Sequence, residues 1–282
     1  MTARQITLAL WAALVRFDSQ HGWSKSSHIA MSMMLALFPF TIFALSLGRA
    51  VSDGVSTQDI VEFVYGTWPD SIAAPIVNEV QAVLRDSSLK TLTIGGLLAV
   101  FFASNGVDAV RQTLTDAYRE HDPRPLWKSR AVCVLFVLCG AAILTFSAAL
   151  VFAVPVYIEA VYGRSEMTED GALSYEALRH AVSFILLIFS VLACHLWLPG
   201  HSHSLKQVLP GVVLTVVLWI TSGGIFAQYV SNFSAYSITY AGLAGVMTAL
   251  VFLYVMAAIF VIGAEFNGRL IAGQDAGTGT GD

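Results

Sequence analysis

The chain has 282 residues, 56% of them hydrophobic and only 12% charged, with a mean hydropathy of +0.69. Soluble domains carry about a quarter charged residues, and a water-facing surface this poor in charge would expose aggregation-prone apolar patches. That excludes a soluble enzyme, a secreted disulfide scaffold and a disordered protein, and it implies an integral membrane protein. The net charge of −4 supplies no basic face for nucleic acid.

The first element, over about residues 4–20, reads as a helix with Ile6, Leu10, Ala13, Leu14 and Phe17 on one face. Arg4, Arg16 and Trp11 suit a helix lying among lipid headgroups, and a helix docked on a bundle fits the same pattern. Six apolar segments follow, each long enough to cross about 30 Å of hydrocarbon. They cover 29–51, 89–107, 131–154, 181–198, 208–230 and 238–264. Between the first two, 57–65 and 75–85 read as short amphipathic helices on the outer face, the second with Pro75 in its first turn. The Gly-, Thr- and Asp-rich segment 272–282 is expected to be disordered. The fold class is therefore all-α: one six-helix polytopic membrane domain over 1–271, with short amphipathic helices in the N-terminal segment and first outer loop.

An even number of crossings puts both termini on one side. That side holds ten of the Lys and Arg residues and the other holds five. The positive-inside rule then makes the termini cytoplasmic.

Charges are scarce, so each one is informative. The segment from Leu89 to Tyr118 lacks proline and at 1.5 Å per residue can run for about 45 Å. Its extension carries Asp108 and Arg111, i,i+3 neighbours on one face. Glu265 reaches a similar depth from the last segment. These three residues form a buried polar cluster lining a cavity mouth, or they are helix-end charges snorkelling into headgroups. Both readings stand at this point. The loop 119–130, with Arg124, Trp127, Lys128 and Arg130, carries the positive-inside signal and suits contact with anionic headgroups.

Pro39, mid-way in the first segment, removes a backbone hydrogen bond and is expected to kink that helix. Ser26, Ser27 and Ser32 precede it, facing a polar interior or bonding back to their own helix. The uncharged run 229–240 is expected to form an outer polar hairpin through Ser231, Asn232, Tyr236 and Tyr240, at the interface or dipping between helices. Gly223-Gly224 and Ala241-x-x-x-Gly245 offer small-residue faces for close helix contact. Cys133, Cys139 and Cys194 lie in apolar runs and read as packing residues. His195, His201 and His203 lack the further ligand a metal site wants. No P-loop, H-E-x-x-H or G-x-S-x-G motif is present. No catalytic residue, cofactor, metal site or nucleic-acid partner is assigned, and no enzyme activity is expected. The expected partners are membrane lipids with anionic headgroups on the cytoplasmic side, and a homo-oligomer is allowed.

Several runs taken together resemble the YihY/BrkB (UPF0761-like) family of bacterial inner-membrane proteins. They are Ala36-Leu37-Phe38-Pro39-Phe40, residues 109–118 followed by Arg124-Pro125-Leu126-Trp127-Lys128, and Leu209-Pro210-Gly211. Tyr229-Val230-Ser231-Asn232-Phe233, Tyr236-x-x-x-Tyr240-Ala241-Gly242-Leu243-Ala244-Gly245 and Gly263-Ala264-Glu265-Phe266-Asn267 complete the ordered set. The resemblance covers about residues 23–270 and implies six membrane helices. It carries no agreed catalytic residues. Members have been labelled virulence-associated, connected with envelope lipid traffic and, by an old assignment, called a tRNA-processing ribonuclease. Transport or handling of a lipid or small solute at the envelope is the leading expectation. The alternatives are a non-transporting assembly or scaffold factor and, last, a membrane-bound ribonuclease.

Overall fold

The computed structural model describes residues 3–51, 89–118, 121–162, 169–232 and 243–278. Among them the chain forms seven helices and no strand. They are α1 (Ala3–Ser19), α2 (Gly22–Val51), α3 (Leu89–Ala117), α4 (Leu126–Tyr162), α5 (Glu169–Trp197), α6 (Leu205–Asn232) and α7 (Leu243–Thr278). The amphipathic helices expected over 57–65 and 75–85 lie outside the described residues. So do Tyr236 and Tyr240 of the outer hairpin, whereas Ser231 and Asn232 close α6.

Each of the six apolar segments falls largely on one long helix, and the helices overrun them. α4, for example, has 37 residues, well beyond the ~20 that cross a bilayer. The overrun is polar or mixed, and helical hydrogen bonding continues there without a hydropathy signal. Four windows among the described residues are long and apolar enough to cross a membrane: Leu126–Ile143, His180–Trp197, Leu205–Tyr229 and Val246–Gly273. α7 continues to Thr278, past Ala272, where composition alone places the start of a disordered tail. Pro39 lies within α2.

The bundle is apolar outside as well as inside. Leu97, Phe146, Ile185 and Ile225 are each at least 64% exposed, a surface suited to lipid tails and not to water. Burial identifies the centre: half of the Val246–Gly273 window of α7 is buried, against 11% of Leu126–Ile143 in α4. α7 packs on α1, α2 and α6, while α2 makes its broadest contact with α3. Ile29, Leu114, Leu198, Val208 and Ala264 are fully buried or nearly so in the main core.

α1 docks on this centre. Ala13 and Phe17 are buried, and Ala13 joins Phe266 and Leu270 of α7 in a small cluster. Its opposite face exposes Leu8, Trp11 and Val15, so the helix is apolar on both sides and, among the described residues, meets protein on one. His21 ends α1 in the left-handed region, with φ at 58°. Gly22 then starts α2 against the Phe17 ring, where a Cβ would come within 2.6 Å of ring carbons.

At the start of α6 the Gln207 side-chain oxygen accepts from both the amide and the hydroxyl of Ser204, each at 2.9 Å. Pro210 follows inside the helix, where its ring crowds the preceding turn and no N–H is available. Asn267 of α7, fully buried, meets this stretch. Its Oδ1 accepts from the Gly211 amide at 2.6 Å, and its Nδ2 donates to the Val208 carbonyl at 2.7 Å. Backbone contact makes this possible: a Cβ on Gly211 would overlap the Gly263 carbonyl, and one on Gly263 would overlap the Thr215 hydroxyl. Trp219 adds a hydrogen bond to the Met256 carbonyl at 2.8 Å. By contrast, nothing described lies within 4 Å of a Cβ on Gly223 or Gly224. The close approach expected there occurs at Gly211 and Gly263 instead, because that is where α6 and α7 cross.

Candidate functional site

One end of the bundle gathers the start of α2, the end of α3, the start of α4, the end of α5, the start of α6 and the end of α7. Most of the described charges meet here. Asp108 and Arg111 lie one turn apart on α3, and the Arg111 Nε donates to Asp108 Oδ1 at 2.9 Å. Gln112 donates to the other Asp108 oxygen at 2.8 Å. Arg111 continues into the α3–α4 loop, where its Nη1 is ion-paired with Asp122. Asp122 also accepts from the Arg124 backbone amide and Nε, each at 2.9 Å, and from the Ser129 hydroxyl at 3.3 Å. Arg124 in turn donates to the Leu198 carbonyl at the end of α5. A ladder of alternating charge thus runs Asp108, Arg111, Asp122, Arg124 and closes on the α5–α6 connection. Gly200 lies against its far end, where a Cβ would come 2.8 Å from Asp122 Oδ1.

Burial would push the Asp122 carboxyl up, but hydrogen bonds from Arg124 and the charges of Arg124 and Arg111 outweigh it and hold it at about 2. The same contest holds Asp108 below the usual carboxylate value, with Arg111 and Gln112 overcoming burial. The two carboxylates keep the Arg111 guanidinium raised against the burial that opposes its charge.

The expected trio of Asp108, Arg111 and Glu265 is therefore regrouped. Asp108 and Arg111 do pair, and the acid that extends them is Asp122. Glu265, 2% exposed, forms its ion pair with Arg16 of α1 at 2.6 Å. Arg16 also donates to the Asp116 carbonyl at 3.1 Å, and the Asp116 carboxylate pairs with Lys25 at 2.8 Å. Equal depth in the membrane does not make contact; the docking of α1 places Arg16 over Glu265.

The basic loop divides as well. Arg124 is turned inward onto Asp122 and Leu198. Trp127 is 69% exposed, with the Lys128 ammonium 5.4 Å from its ring centroid. Arg130 stands 5.6 Å from the Phe101 ring centroid on α3.

Between α2 and α3 lies a partly open cleft of about 240 Å³. Its polar wall is His28, Ser32, Asn105 and Asp108, and its apolar wall is Leu35, Phe102 and Ala109. The cleft sits beside the crossing at Gly106, where a Cβ would be 3.8 Å from the backbone of Ser32 and Met33. The three serines ahead of Pro39 part company here. Ser26 is buried and bonds back to the Gly22 carbonyl at 2.7 Å, Ser27 is exposed and Ser32 faces the cleft. Sequence reasoning found Asp108 but missed His28 and Asn105; the available signal was polar residues one helical turn from Ser32 and Asp108 on two apolar helices.

His195 is fully buried and its Nδ1 shares a hydrogen bond with the Tyr118 hydroxyl. The His203 ring packs on Tyr118 with centroids 4.3 Å apart. Among the described residues no three His, Cys, Asp or Glu converge on a common point. Cys133 is buried and Cys194 half-buried, but Cys139 is exposed on α4, so it does not pack inside the bundle as expected. The most exposed of the long helices turned it outward.

An all-helical bundle with exposed apolar flanks, four long apolar helices and its charges gathered at one end is a polytopic membrane protein. Residues 13–278 match the profile of the family described as Virulence factor BrkB, and the chain belongs to that family. It is 28% identical over 260 residues to a ribonuclease-like protein, YfkH, of Bacillus subtilis, covering 90% of this chain and 92% of that one. A UPF0761 membrane protein of Alteromonas mediterranea is 24% identical over 86% of this chain and 81% of its own length. Another, from Xanthomonas campestris, is 25% identical over 91% of this chain, which spans 59% of that longer protein. No solved structure matches.

Proposed function

We propose that this protein crosses a bacterial inner membrane six times, with both termini in the cytoplasm, and handles a lipid or small solute at the envelope without enzymatic chemistry. The observation that carries the reading is the α2–α3 cleft. It is polar at the charged end of the bundle and flanked by exposed Leu35, Leu98 and Phe101. Its volume of about 240 Å³ is below the ~300–1,000 Å³ of sites that enclose a drug-sized ligand. It admits a headgroup or a small solute, leaving any acyl chain along the apolar flank. The alternation of helix ends at the charged face supports six crossings, and Arg and Lys residues concentrated there support a cytoplasmic face. Trp127, Lys128 and Arg130 suit the headgroup layer at that level.

Lipid and polar-metabolite profiling of a deletion strain tests the proposal. A defined lipid or solute pool should shift and be restored by the wild-type gene, while Ser32→Trp, which fills the cleft and replaces no charged residue, should insert normally and fail to restore it. Full restoration by Ser32→Trp refutes the cleft as the working site.

A further inference from the structure

Resting on that reading of the cleft, we propose that the group it grips is the ammonium of an aminophospholipid headgroup. Asp122 is contacted by both guanidiniums, Arg111 and Arg124, whereas among the described residues the one cation paired with Asp108 is Arg111, which it shares with Asp122. The four groups cancel formally, but the cations are drawn toward Asp122. The residual negative potential falls at Asp108, whose side chain is 25% exposed and lines the cleft. A carboxylate has about four acceptor sites. Arg111 and Gln112 take one on each oxygen, and the contact from Cys133 is long, at 3.6 Å. Acceptor capacity therefore remains on Asp108.

The rest of the wall fits the same ligand. Among the described residues no Lys or Arg lines the cleft, and the guanidinium paired with Asp108 is already shared with Asp122, so a bare anion would meet a carboxylate and no uncommitted cation. Ser32 and Asn105 each present a neutral oxygen, and a His28 ring nitrogen can accept as well. An ammonium carries three donors and no acceptor, which a carboxylate and two neutral acceptors satisfy. Asp108 is held ionised by Arg111 at neutral pH, as a cation partner must be.

The lipid, in preference to a free amine, follows from the surroundings. Phe102, in the cleft wall, packs edge-on against Phe101 with centroids 5.5 Å apart, and the Arg130 guanidinium stands over Phe101. A cation is thus stationed on the flank of a carboxylate-lined opening. The headgroup phosphate of a lipid, a few bonds from its ammonium, has that cation to approach. Leu98 and Leu35 continue the flank as exposed apolar surface for an acyl chain.

The test uses the full-length protein in nanodiscs of phosphatidylglycerol, with dioleoyl-phosphatidylethanolamine or dioleoyl-phosphatidylcholine titrated in and retention read by native mass spectrometry. Charge-assisted hydrogen bonds contribute about 1.5–3 kcal/mol, so the ethanolamine lipid should be retained roughly 10- to 100-fold over the choline lipid, which has no N–H donor. Asp108→Asn should reduce the preference to near unity. Ser32→Val, which leaves every ion pair in place, should reduce it severalfold with unchanged melting, and it decides the matter if Asp108→Asn unfolds. Equal retention of both lipids overturns the ammonium assignment and leaves the cleft as a ligand site. Displacement of the ethanolamine lipid by equimolar free ethanolamine overturns the lipid source. Retention of no lipid and no ethanolamine overturns this inference and leaves the proposed function with its small-solute arm alone.

Discussion

Asn267 offers the sharpest test of how the bundle is held. Replacing it with leucine keeps the volume nearly constant, so no large cavity opens, while both interhelical hydrogen bonds beside Pro210 disappear. The Gly211 amide and the Val208 carbonyl then face an apolar side chain in a region from which water is excluded. Each buried group left without its partner costs about 1–3 kcal/mol in soluble proteins, and interhelical bonds in membranes average about 0.6 and reach about 1.7. Two such groups give a loss of roughly 1–3 kcal/mol. Asn267→Asp separates hydrogen bonding from packing. One carboxylate oxygen can still accept from Gly211, but the other opposes the Val208 carbonyl, and a charge is buried besides. The aspartate variant should be the less stable of the two at pH 7. It should recover on acidification, because the protonated carboxyl can donate to Val208 as the amide does. Unfolding in mixed micelles of dodecyl maltoside with increasing SDS, at pH 7 and pH 5, provides the measurement. Wild-type stability in Asn267→Leu, or an aspartate variant insensitive to pH, refutes the clamp.

Arg16→Ala should cost up to about 3–5 kcal/mol, because it removes an ion partner of the buried Glu265 carboxylate; adding Glu265→Gln should recover much of that loss, as a double-mutant cycle in the same micelle assay would report. Gly263→Ala should force α6 and α7 apart and destabilise by at least ~1–3 kcal/mol, whereas Gly223→Ala, with open space around it, should be neutral or slightly stabilising by the same assay. For Asp122, the folded value of about 2 lies below the ordinary carboxylate value near 4. Its contribution is therefore complete above about pH 4 and lost as pH falls toward 2. A pH series of melting midpoints should show up to about 2 kcal/mol of this loss, absent in Asp122→Asn. His21→Gly relieves the left-handed backbone at φ 58° and should stabilise the α1–α2 junction by up to about 1 kcal/mol.

The long helices were legible because lipid exposure selects uninterrupted apolar runs, and that requirement is written locally. Their ends were not, since helical hydrogen bonding extends past the apolar stretch wherever no breaker intervenes. The site shows the same division. Asp108 and Arg111 were found because i,i+3 spacing is a local rule. Asp122 was missed because its partner Arg111 is 11 residues away across a turn that places the two side by side. The Arg16 pairing of Glu265 was not foreseen because Arg16 is on α1, some 250 positions earlier. Asn267 left a faint trace, an amide one turn beyond Gly263 near the end of α7, facing a segment that contains Pro210-Gly211. Joining the two requires knowing that α6 and α7 cross at those glycines.

The Asn267 contact also constrains how this protein can change shape. Two hydrogen bonds and a backbone-to-backbone crossing fix the axial register of α6 against α7, since a shift by even one residue would drive a side chain into the position now held by glycine. These two helices must travel as one rigid body. Any rearrangement that opens or closes the α2–α3 cleft therefore has to come from α2 and α3 tilting against this fixed pair, with the seam acting as the stationary spine of the movement.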